Sequence, residues 1–314
     1  MRSLSRLATM AGIAVSLGGG VYGFEAYVPG RPVLTATADP RIDTTFTTFD
    51  PHGSKLTLPT DINARGQIVG RYLGADGRTH GFLREKDGTI TTIDIRGANF
   101  TVAGSINNSG TIVGWYTLPS DPTRRHGFKM EGGDTTTFDA GSTFTNALGI
   151  SENGDIVGRF CGSTNCPPAF QGFLYRAGAL TVLSVTGASE TDAFKEQANG
   201  TIVGGFSQGV AQKLFTYRDG RFTTFALPNG RNIALSNGGT NARGDIVGTY
   251  CDQPGSCMIG PPTTHGFLLR NGKLTRIDVP HSNGTSALGI NEQGDIVGNY
   301  NDAYGQARGF LLTH

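Results

Sequence analysis

Short apolar stretches with the alternation of β-strands recur along this chain at a nearly constant interval. In each interval the phrase Ile-Val-Gly opens one stretch, and a second phrase such as His80-Gly81-Phe82 follows it. The Ile-Val-Gly phrases begin at Ile68, Ile112, Ile156, Ile202, Ile246 and Ile296. Their spacings of 44, 44, 46, 44 and 50 residues indicate six repeats of one structural unit.

Each repeat predicts four short strands. The first strand ends at the residue before a turn rich in Asn and Gly, and the Ile-Val-Gly phrase begins the second strand. The His-Gly-Phe phrase lies in the third strand, and a hairpin turn such as Lys86-Asp87-Gly88 leads into a Thr-rich fourth strand. Four antiparallel strands in a repeat of this length are typical of a β-propeller blade.

The last repeat lacks a fourth strand, and the stretch Thr47–Asp50, ahead of the first repeat, can supply it. Asp50 stands 13 residues before Asn63, the same interval that separates Asp94 from Asn107. We therefore predict an all-β fold, a single six-bladed β-propeller closed by the N-terminal strand completing the last blade. An open β-solenoid and a pair of β-trefoils are the alternatives with repeats of similar length.

The fourth repeat departs most from the pattern. It carries Lys213-Leu214-Phe215 where other repeats carry His-Gly-Phe, and Glu196-Gln197 where others carry Ile-Asn. We expect an irregular blade at this repeat.

These phrases resemble those of the HAF-repeat family of extracellular proteins, which is named for a His-Ala-Phe phrase. The matching residues are His80-Gly81-Phe82, His126-Gly127-Phe128 and His265-Gly266-Phe267, with Gly in the middle place. The Ile-Asn-x-x-Gly-x-Ile-Val-Gly phrase is similar too, and the resemblance covers about Thr47 to the C-terminus. It implies a secreted, propeller-like protein and no established activity.

The N-terminal residues indicate export. Arg2 and Arg6 precede the apolar stretch Leu7–Leu17, which is too short to span a bilayer and typical of a signal-peptide core. Ala36-Thr37-Ala38 is a candidate cleavage site; earlier cleavage near Gly23 or Ala26 and an uncleaved N-terminal anchor are the alternatives. We assign residues 1–38 to a signal peptide and N-terminal segment and residues 39–314 to the propeller domain, and expect a secreted bacterial protein, extracellular or periplasmic.

The four cysteines form two local pairs, Cys161 with Cys166 and Cys251 with Cys257. Neither pair has the spacing of a zinc site, so we expect no metal. Two loop-stapling disulfides fit an exported protein, whereas four free thiols in a reducing compartment are the alternative.

The high glycine content agrees with the predicted β-strands. Gly makes up 48 of 314 residues, about twice its usual share, which fits short strands joined by tight turns.

The low net charge of +1 favours neither nucleic acid nor an anionic membrane as a partner. No phosphate loop, HExxH or EF-hand motif occurs, and we expect no cofactor. We further expect no membrane span in the mature chain, and a monomer.

Histidine and aspartate recur at equivalent places of several repeats, where symmetry keeps them apart. Neighbouring sheets stand about 10 Å apart, too far for these histidines to share a metal ion. We therefore interpret the recurring residues as structural, and expect neither a metal site nor a catalytic pair among them. They are His80, His126, His265, Asp50, Asp94, Asp139 and Asp278.

Positions that do not repeat are the better candidates for ligand binding. Loops between the second and third strands and between successive blades share one face of a propeller, and loops on a rigid scaffold commonly bind ligands. On this face we select four weak candidates: Arg71, Trp115, Arg125 and Arg159. Asp61 and Lys195 are two more, on first strands that should line the central channel. For each, an ordinary structural role is the alternative.

The sequence thus favours a non-catalytic binding or interaction module of the cell exterior or envelope, whose partner is an extracellular glycan or protein. A secreted hydrolase or lyase that acts on polysaccharide from the loop-rich face is the alternative. A structural domain that pairs with another chain is a third reading.

The cysteine interpretation predicts a mass. With all four cysteines in disulfides, the intact secreted protein should be four hydrogens lighter than the fully reduced chain, since each disulfide removes two. Mass spectrometry before and after reduction measures the difference. Alkylation of any cysteine in the unreduced protein would contradict the pairing.

Overall fold

A computed structural model describes residues 45–141, 144–162, 170–228, 231–234, 238–252 and 264–313. These residues lie within one compact unit, Ala38–His314. The proposed signal peptide and its cleavage site fall outside the described residues.

The described part of the chain is built of β-strands, as the alternation predicts. In chain order the strands are β1 (Thr45–Phe49), β2 (Leu56–Ile62), β3 (Ile68–Leu73), β4 (Thr79–Arg84), β5 (Ile90–Ile93), β6 (Phe100–Ile106), β7 (Ile112–Leu118), β8 (Asp121–Glu131), β9 (Asp134–Phe138), β10 (Phe144–Ile150), β11 (Ile156–Cys161), β12 (Gln171–Arg176), β13 (Ala179–Leu183), β14 (Glu190–Glu196), β15 (Ile202–Gln208), β16 (Ala211–Arg218), β17 (Arg221–Phe225), β18 (Asn232–Ile233), β19 (Gly239–Thr240), β20 (Ile246–Cys251), β21 (Thr264–Arg270), β22 (Lys273–Ile277), β23 (Thr285–Ile290), β24 (Ile296–Asn301) and β25 (Ala307–Thr313). All six Ile-Val-Gly phrases begin a strand.

Successive strands pair antiparallel in sets that match the sequence repeats. The first set is β2-β3-β4-β5, the second β6-β7-β8-β9, the third β10-β11-β12-β13 and the fourth β14-β15-β16-β17. The fifth set is β20-β21-β22 with the short β18 and β19, both paired to β20. The sixth is β23-β24-β25-β1, so the N-terminal strand pairs with the last strand as predicted, Thr47 opposite Leu311.

One packing arrangement recurs in all six sets and explains the two conserved phrases of the repeat. The Phe of the third strand lies opposite the Gly of Ile-Val-Gly, as Phe82 lies opposite Gly70. A Cβ atom on any of these six glycines would come within 2.3–3.0 Å of the facing Phe ring. The Phe side chains are almost fully buried, so each set has its own aromatic core. They are Phe82, Phe128, Phe173, Phe215, Phe267 and Phe310.

Turns between the first and second strands link one set to the next. Asn63 Nδ2 donates to the carbonyl oxygen of Asn107 at 3.0 Å, and Asn107 Nδ2 donates to that of Ser151 at 3.3 Å. Asn241 donates to Asn291 in the same way, and Asn291 Nδ2 donates to the carbonyl oxygen of Asn63 at 3.3 Å. The last of these bonds joins the sixth set to the first.

The prediction of an irregular fourth repeat is wrong. Strands β14 to β17 form a regular set because Leu214, which takes the place of the middle Gly of His-Gly-Phe, pairs with Gly205. In the first repeat the larger residue is on the second strand and the Gly is on the third, with Arg71 opposite Gly81. The described part of the fifth set is less regular, because its first strand is represented by two short strands, β18 and β19.

The recurring His and Asp side chains bond to each other, which supports their structural interpretation. His80 Nδ1 lies 2.9 Å from Asp94 and its Nε2 lies 3.2 Å from Asp76, so one imidazole joins the ends of two loops. His265 lies likewise between Asp278 and Asp252, and His126 contacts Asp139. In the sixth set Arg308 takes the place of His and bonds to both Asp50 and Asp302 at 3.1 Å. Asp50 thus occupies the place that its spacing predicts.

Cys161 and Cys251 are buried in equivalent strands, and no described cysteine is a free thiol. Their proposed partners, Cys166 and Cys257, lie outside the described residues, so the local pairing stays a prediction. Within the described segments, no helix is long and apolar enough to cross a membrane.

The pairing of β1 with β25 predicts that the N-terminal strand is needed for stability. We expect a chain that begins at residue 51 to unfold at a clearly lower urea concentration than one that begins at residue 45. Removal of the buried Phe49 side chain alone should cost roughly 3–5 kcal/mol of the free energy of unfolding. Equal urea midpoints for the two chains would contradict this role of the strand.

The His80 contacts predict a dependence of stability on pH. Burial lowers the pKa of His80, but hydrogen bonds and charge interactions with Asp94 and Asp76 outweigh it, and the net shift is upward. The imidazolium therefore stabilises the fold fully below its unfolded pKa of about 6.5, and this contribution is lost as the pH rises through the folded pKa. We expect the difference in unfolding free energy between the parent and His80→Gln to shrink as the pH rises above about 6.5, the unfolded pKa of His.

Urea titrations of both proteins across this pH range measure the difference. His52→Gln is a matched control, because the His52 side chain is exposed and lies outside these contacts. A difference for His80→Gln that stays constant or grows with pH would contradict the assignment.

Candidate functional site

A cavity of about 370 Å³ opens among the first and second strands of the first, second, third and sixth sets. It lies towards the start of the first strands and the end of the second strands, the face selected from the sequence. All four residues selected on that face line it, so the structure brings Arg71, Trp115, Arg125 and Arg159 together. The remaining lining residues are Leu58, Thr60, Val102, Asn146, Leu148, Ser286, Leu288 and Asn299.

Strand register explains why these side chains reach the cavity. Arg71, Trp115 and Arg159 occupy the same place in β3, β7 and β11, directly after the Gly of Ile-Val-Gly, so they lie on the opposite face of the strand from the Phe core. Across from them on the third strand stand Gly81, Gly127 and Gly172. A Cβ atom on these glycines would come within 2.8–3.5 Å of the fourth strand or the next set, so their lack of a side chain allows that close packing.

Arg125 comes from a third strand rather than a second one. It belongs to β8, whose 11 residues make it the longest strand described. A parallel bridge pairs it with Phe144, the first residue of β10, and so places it between two sets. With its side-chain amide in the orientation that satisfies its neighbours, Asn146 accepts a hydrogen bond from Arg125 Nη1 at 3.2 Å.

Arginine and aromatic side chains alternate along this side of the cavity. Phe100 stacks on Trp115 with 5.0 Å between ring centroids, and the guanidinium carbon of Arg125 lies 4.1 Å from the centroids of both Trp115 and Phe144. Arg159 continues the series, 5.9 Å from the Phe144 centroid. We call the series Arg71, Phe100, Trp115, Arg125, Phe144, Arg159 and Phe170 the arginine–aromatic stack.

Trp115 therefore serves mainly to hold other side chains of the stack. Only 6% of the residue is exposed, since Phe100 and Arg125 cover its ring. The Trp115 indole is therefore too covered to stack on a sugar ring. The indole instead fixes the position of the Arg125 guanidinium through a cation–π contact.

Burial and mutual repulsion act on the arginines of the cavity. Loss of hydration is the main cause that lowers the pKa of Arg125 to about 10, and the positive charges of Arg159 and Arg71 add to it. Burial also lowers the pKa of Arg71. Arg125 still carries its full charge at neutral pH, because its pKa lies about three units higher. The cavity is therefore a local positive site in a chain whose net charge is only +1.

Arg159 differs from the other two arginines because it has acidic partners. Its Nη1 lies 3.1 Å from Glu190 and 3.0 Å from Asp192. Asp192 is fully buried, and desolvation raises its pKa to about 7 despite the attraction of Arg159. Desolvation raises the pKa of Glu190 as well. The Arg159 guanidinium thus forms ion pairs with two carboxyl groups of the protein, which compensate most of its positive charge.

Asp61 and Lys195 lie elsewhere and bond to each other. Lys195 Nζ is 2.7 and 2.8 Å from the two carboxylate oxygens of Asp61, and Ser105 Oγ donates to the same carboxylate. The pair joins the first strands of the first and fourth sets across 134 residues of sequence. Its charges are mutually satisfied, so the structure favours a structural role for both, and neither lines the cavity of the arginines. Removal of one partner from such a buried pair typically lowers the free energy of unfolding by about 3–5 kcal/mol, because the other partner is left as an uncompensated buried charge.

The other three repeats contribute no charged or aromatic side chain to the lining: the sixth supplies Ser286, Leu288 and Asn299, and the fourth and fifth supply no lining residue among those described. In place of Arg71 they carry Gly205, Thr249 and Asn299, which are small or uncharged. Sequence reasoning missed Phe100, Phe144, Phe170 and Asn146, which hold or contact the arginines. Phe100 and Phe144 open equivalent first strands, where no other repeat has an aromatic residue, and this asymmetry is the signal that could have identified them.

The described residues contain no group of three or more His, Cys, Asp or Glu side chains placed to hold a metal ion. The arrangement can instead bind an anion, because guanidinium groups are rigid donors that suit carboxylate and other oxyanions.

No protein-family model and no curated protein matches the chain. Solved structures do match it. A protein from Agrobacterium tumefaciens provisionally named TolB superposes with a TM-score of 0.57 and 11% identity, over 82% of this chain and 90% of that one. A protein provisionally named a gluconolactonase superposes with a TM-score of 0.51 and 11% identity, over 86% and 92%. Both are β-propellers, and at this identity the likeness shows the fold alone: the chain is an all-β protein of the β-propeller type.

Proposed function

We propose that this protein is a non-catalytic binding module that holds part of an extracellular glycan or protein in the cavity of the arginine–aromatic stack. The observation that carries the proposal is the convergence of Arg71, Trp115, Arg125 and Arg159 on one cavity. Arg and Trp are the residue types that most often dominate binding energy at interfaces. They occupy non-repeating positions of a repeating scaffold, which points to a role beyond the fold itself.

The fold supports the proposal if the propeller is closed and six-bladed. Six antiparallel sets, the pairing of β1 with β25 and the bond from Asn291 to Asn63 all favour that closure. A closed ring would keep the four cavity residues at constant separations, and preorganisation of this kind lowers the entropic cost of binding.

Export of the protein would place its cavity among extracellular ligands. The apolar N-terminal stretch, the paired cysteines and the resemblance to HAF-repeat proteins favour a location outside the cytoplasm, where glycans and envelope proteins are the available ligands. The TolB-named and gluconolactonase-named proteins share the fold and supply no ligand for this chain.

Binding is favoured over glycoside hydrolysis by the chemistry of the lining. Glycosidases commonly use two carboxyl groups that flank the bond to be cleaved. The described residues that line the cavity include three arginines but neither Asp nor Glu, and the nearby Glu190 and Asp192 are engaged with Arg159.

The proposal predicts retention without cleavage. An array of polysaccharides, cell-wall glycans and envelope proteins, probed with the purified mature protein, should show retention, and chromatography of the supernatant should show no new products. Trp115→Ala should weaken retention by at least about tenfold, because it removes the side chain that holds Arg125.

Tyr304→Ala is the matched control, since 92% of Tyr304 is exposed and it lies outside the cavity. Trp115→Phe keeps an aromatic ring in the stack and should retain most of the binding. Product release from a glycan would instead identify an enzyme. Retention that is unchanged in a folded Trp115→Ala protein would place the binding surface elsewhere.

A further inference from the structure

We propose that the cavity recognises the carboxylate of an acidic sugar, and that Arg71 and Arg125 are the residues that bind it. This inference rests on the proposed function and specifies the chemical class of its ligand. It depends on three features of the site: unpaired charge, rigid placement of that charge, and a lining suited to one sugar residue.

The first feature is positive charge without a negative partner. Among the described residues, Arg71 and Arg125 take part in no ion pair, although both line the cavity. The oxygen of Asn146 is the hydrogen-bond acceptor found for Arg125, and it carries no charge. Partial burial of an unpaired cation is costly, and an anion that enters the cavity would remove that cost.

Arg159 provides an internal comparison. It occupies the place of Arg71 in another repeat and lines the same cavity, but Glu190 and Asp192 lie within 3.1 Å of its guanidinium. Acidic residues are therefore available to this surface and are paired with only one of its three arginines. The charges of Arg71 and Arg125 are left for a ligand.

The second feature is rigidity. The Arg125 guanidinium lies 4.1 Å from the ring centroids of both Trp115 and Phe144, which restricts it to the plane between them. Arg71 lies 5.7 Å from the centroid of Phe100, which itself stacks on Trp115. An arginine held in this way loses little further freedom when it binds, and its planar fork matches the two oxygens of a carboxylate.

The third feature is the remainder of the lining. Ser286 and Asn299 line the cavity with polar groups that can bond to sugar hydroxyls, and Leu58 and Leu148 offer apolar contact to the ring carbons. A volume of about 370 Å³ lies at the lower end of the range for small-molecule sites. Those dimensions suit one or two sugar residues with a carboxylate directed at the arginines.

The single tryptophan of the chain makes a direct test feasible. Trp115 lies in the stack against Arg125, so all tryptophan emission of the protein reports on this cavity. The probes are short oligogalacturonates and glucuronate oligosaccharides, each compared with the same oligosaccharide after methyl esterification of its carboxyl groups. Esterification removes the charge and leaves the rest of the sugar unchanged.

We expect at least one acidic oligosaccharide to change the Trp115 emission in a saturable way, and its ester to bind at least about tenfold more weakly. Arg71→Gln and Arg125→Gln should each weaken binding of the acid by a similar factor and leave binding of the ester little changed. Arg125→Lys, which keeps the charge but loses the planar fork, should give an intermediate result. Arg221→Gln, which changes the net charge equally at an exposed place on β17, should bind as the parent does.

Other outcomes separate this inference from the proposed function. If acid and ester bind equally well, the binding module stands and its selectivity for a carboxylate is refuted. If sulfated or phosphorylated sugars alter the emission and uronates do not, the ligand is a different oxyanion and the carboxylate assignment is wrong. If the array retains the protein but no acidic sugar alters the emission, this inference fails, and the Trp115→Ala retention test decides whether the retained ligand binds in the cavity. If nothing is retained and the emission never changes, both proposals fail.

Circular dichroism and thermal melting establish that each variant is folded. Should Arg125→Gln fail to fold, Arg71→Gln still tests the inference, since Arg71 comes from a different strand and a different repeat.

Discussion

The packing of one Phe ring against one Gly, repeated in every antiparallel set, is the constraint on which this structure depends. In each set the Gly of Ile-Val-Gly leaves the space that the facing Phe fills, and a methyl group there would overlap the ring. The two phrases of the repeat are therefore two halves of one contact. Because interiors are close-packed, neither the Gly nor the Phe can change without the other, which explains why both residues recur in all six repeats.

The same strand places that contact and the candidate site on opposite faces. Side chains alternate along a strand, so the residue after each packing Gly points away from the Phe core. In three repeats that residue is Arg71, Trp115 or Arg159, and in the others it is small or uncharged. The scaffold repeats six times, but the candidate site does not, because its arginine and tryptophan side chains come from the first three repeats alone.

The arginines show how such a site can remain charged and ordered. Guanidinium groups are weakly hydrated and planar, so they stack on aromatic rings at less cost than an ammonium group would. Trp115 and Phe144 on either side of Arg125 supply that stacking, while Glu190 and Asp192 neutralise Arg159. Elsewhere several buried or half-buried charges pair with each other, as Lys195 with Asp61 and Arg308 with Asp50 and Asp302. Arg71 and Arg125 lie against aromatic rings with no ion-pair partner among the described residues, and both line the cavity.

The sequence by itself determined the repeat, its four strands, the start of every second strand and the partner of the N-terminal strand, because these follow from alternation, turn residues and spacing along the chain. It also identified the face on which the cavity opens and four of the side chains that line it. Only the tertiary structure decided that Trp115 is covered, that Asp61 satisfies Lys195, that the fourth repeat is regular and that the described part of the fifth is less so. These outcomes depend on contacts between residues in different strands or different repeats, such as Leu214 with Gly205 or Phe100 with Trp115, and no pattern along a single strand specifies such contacts.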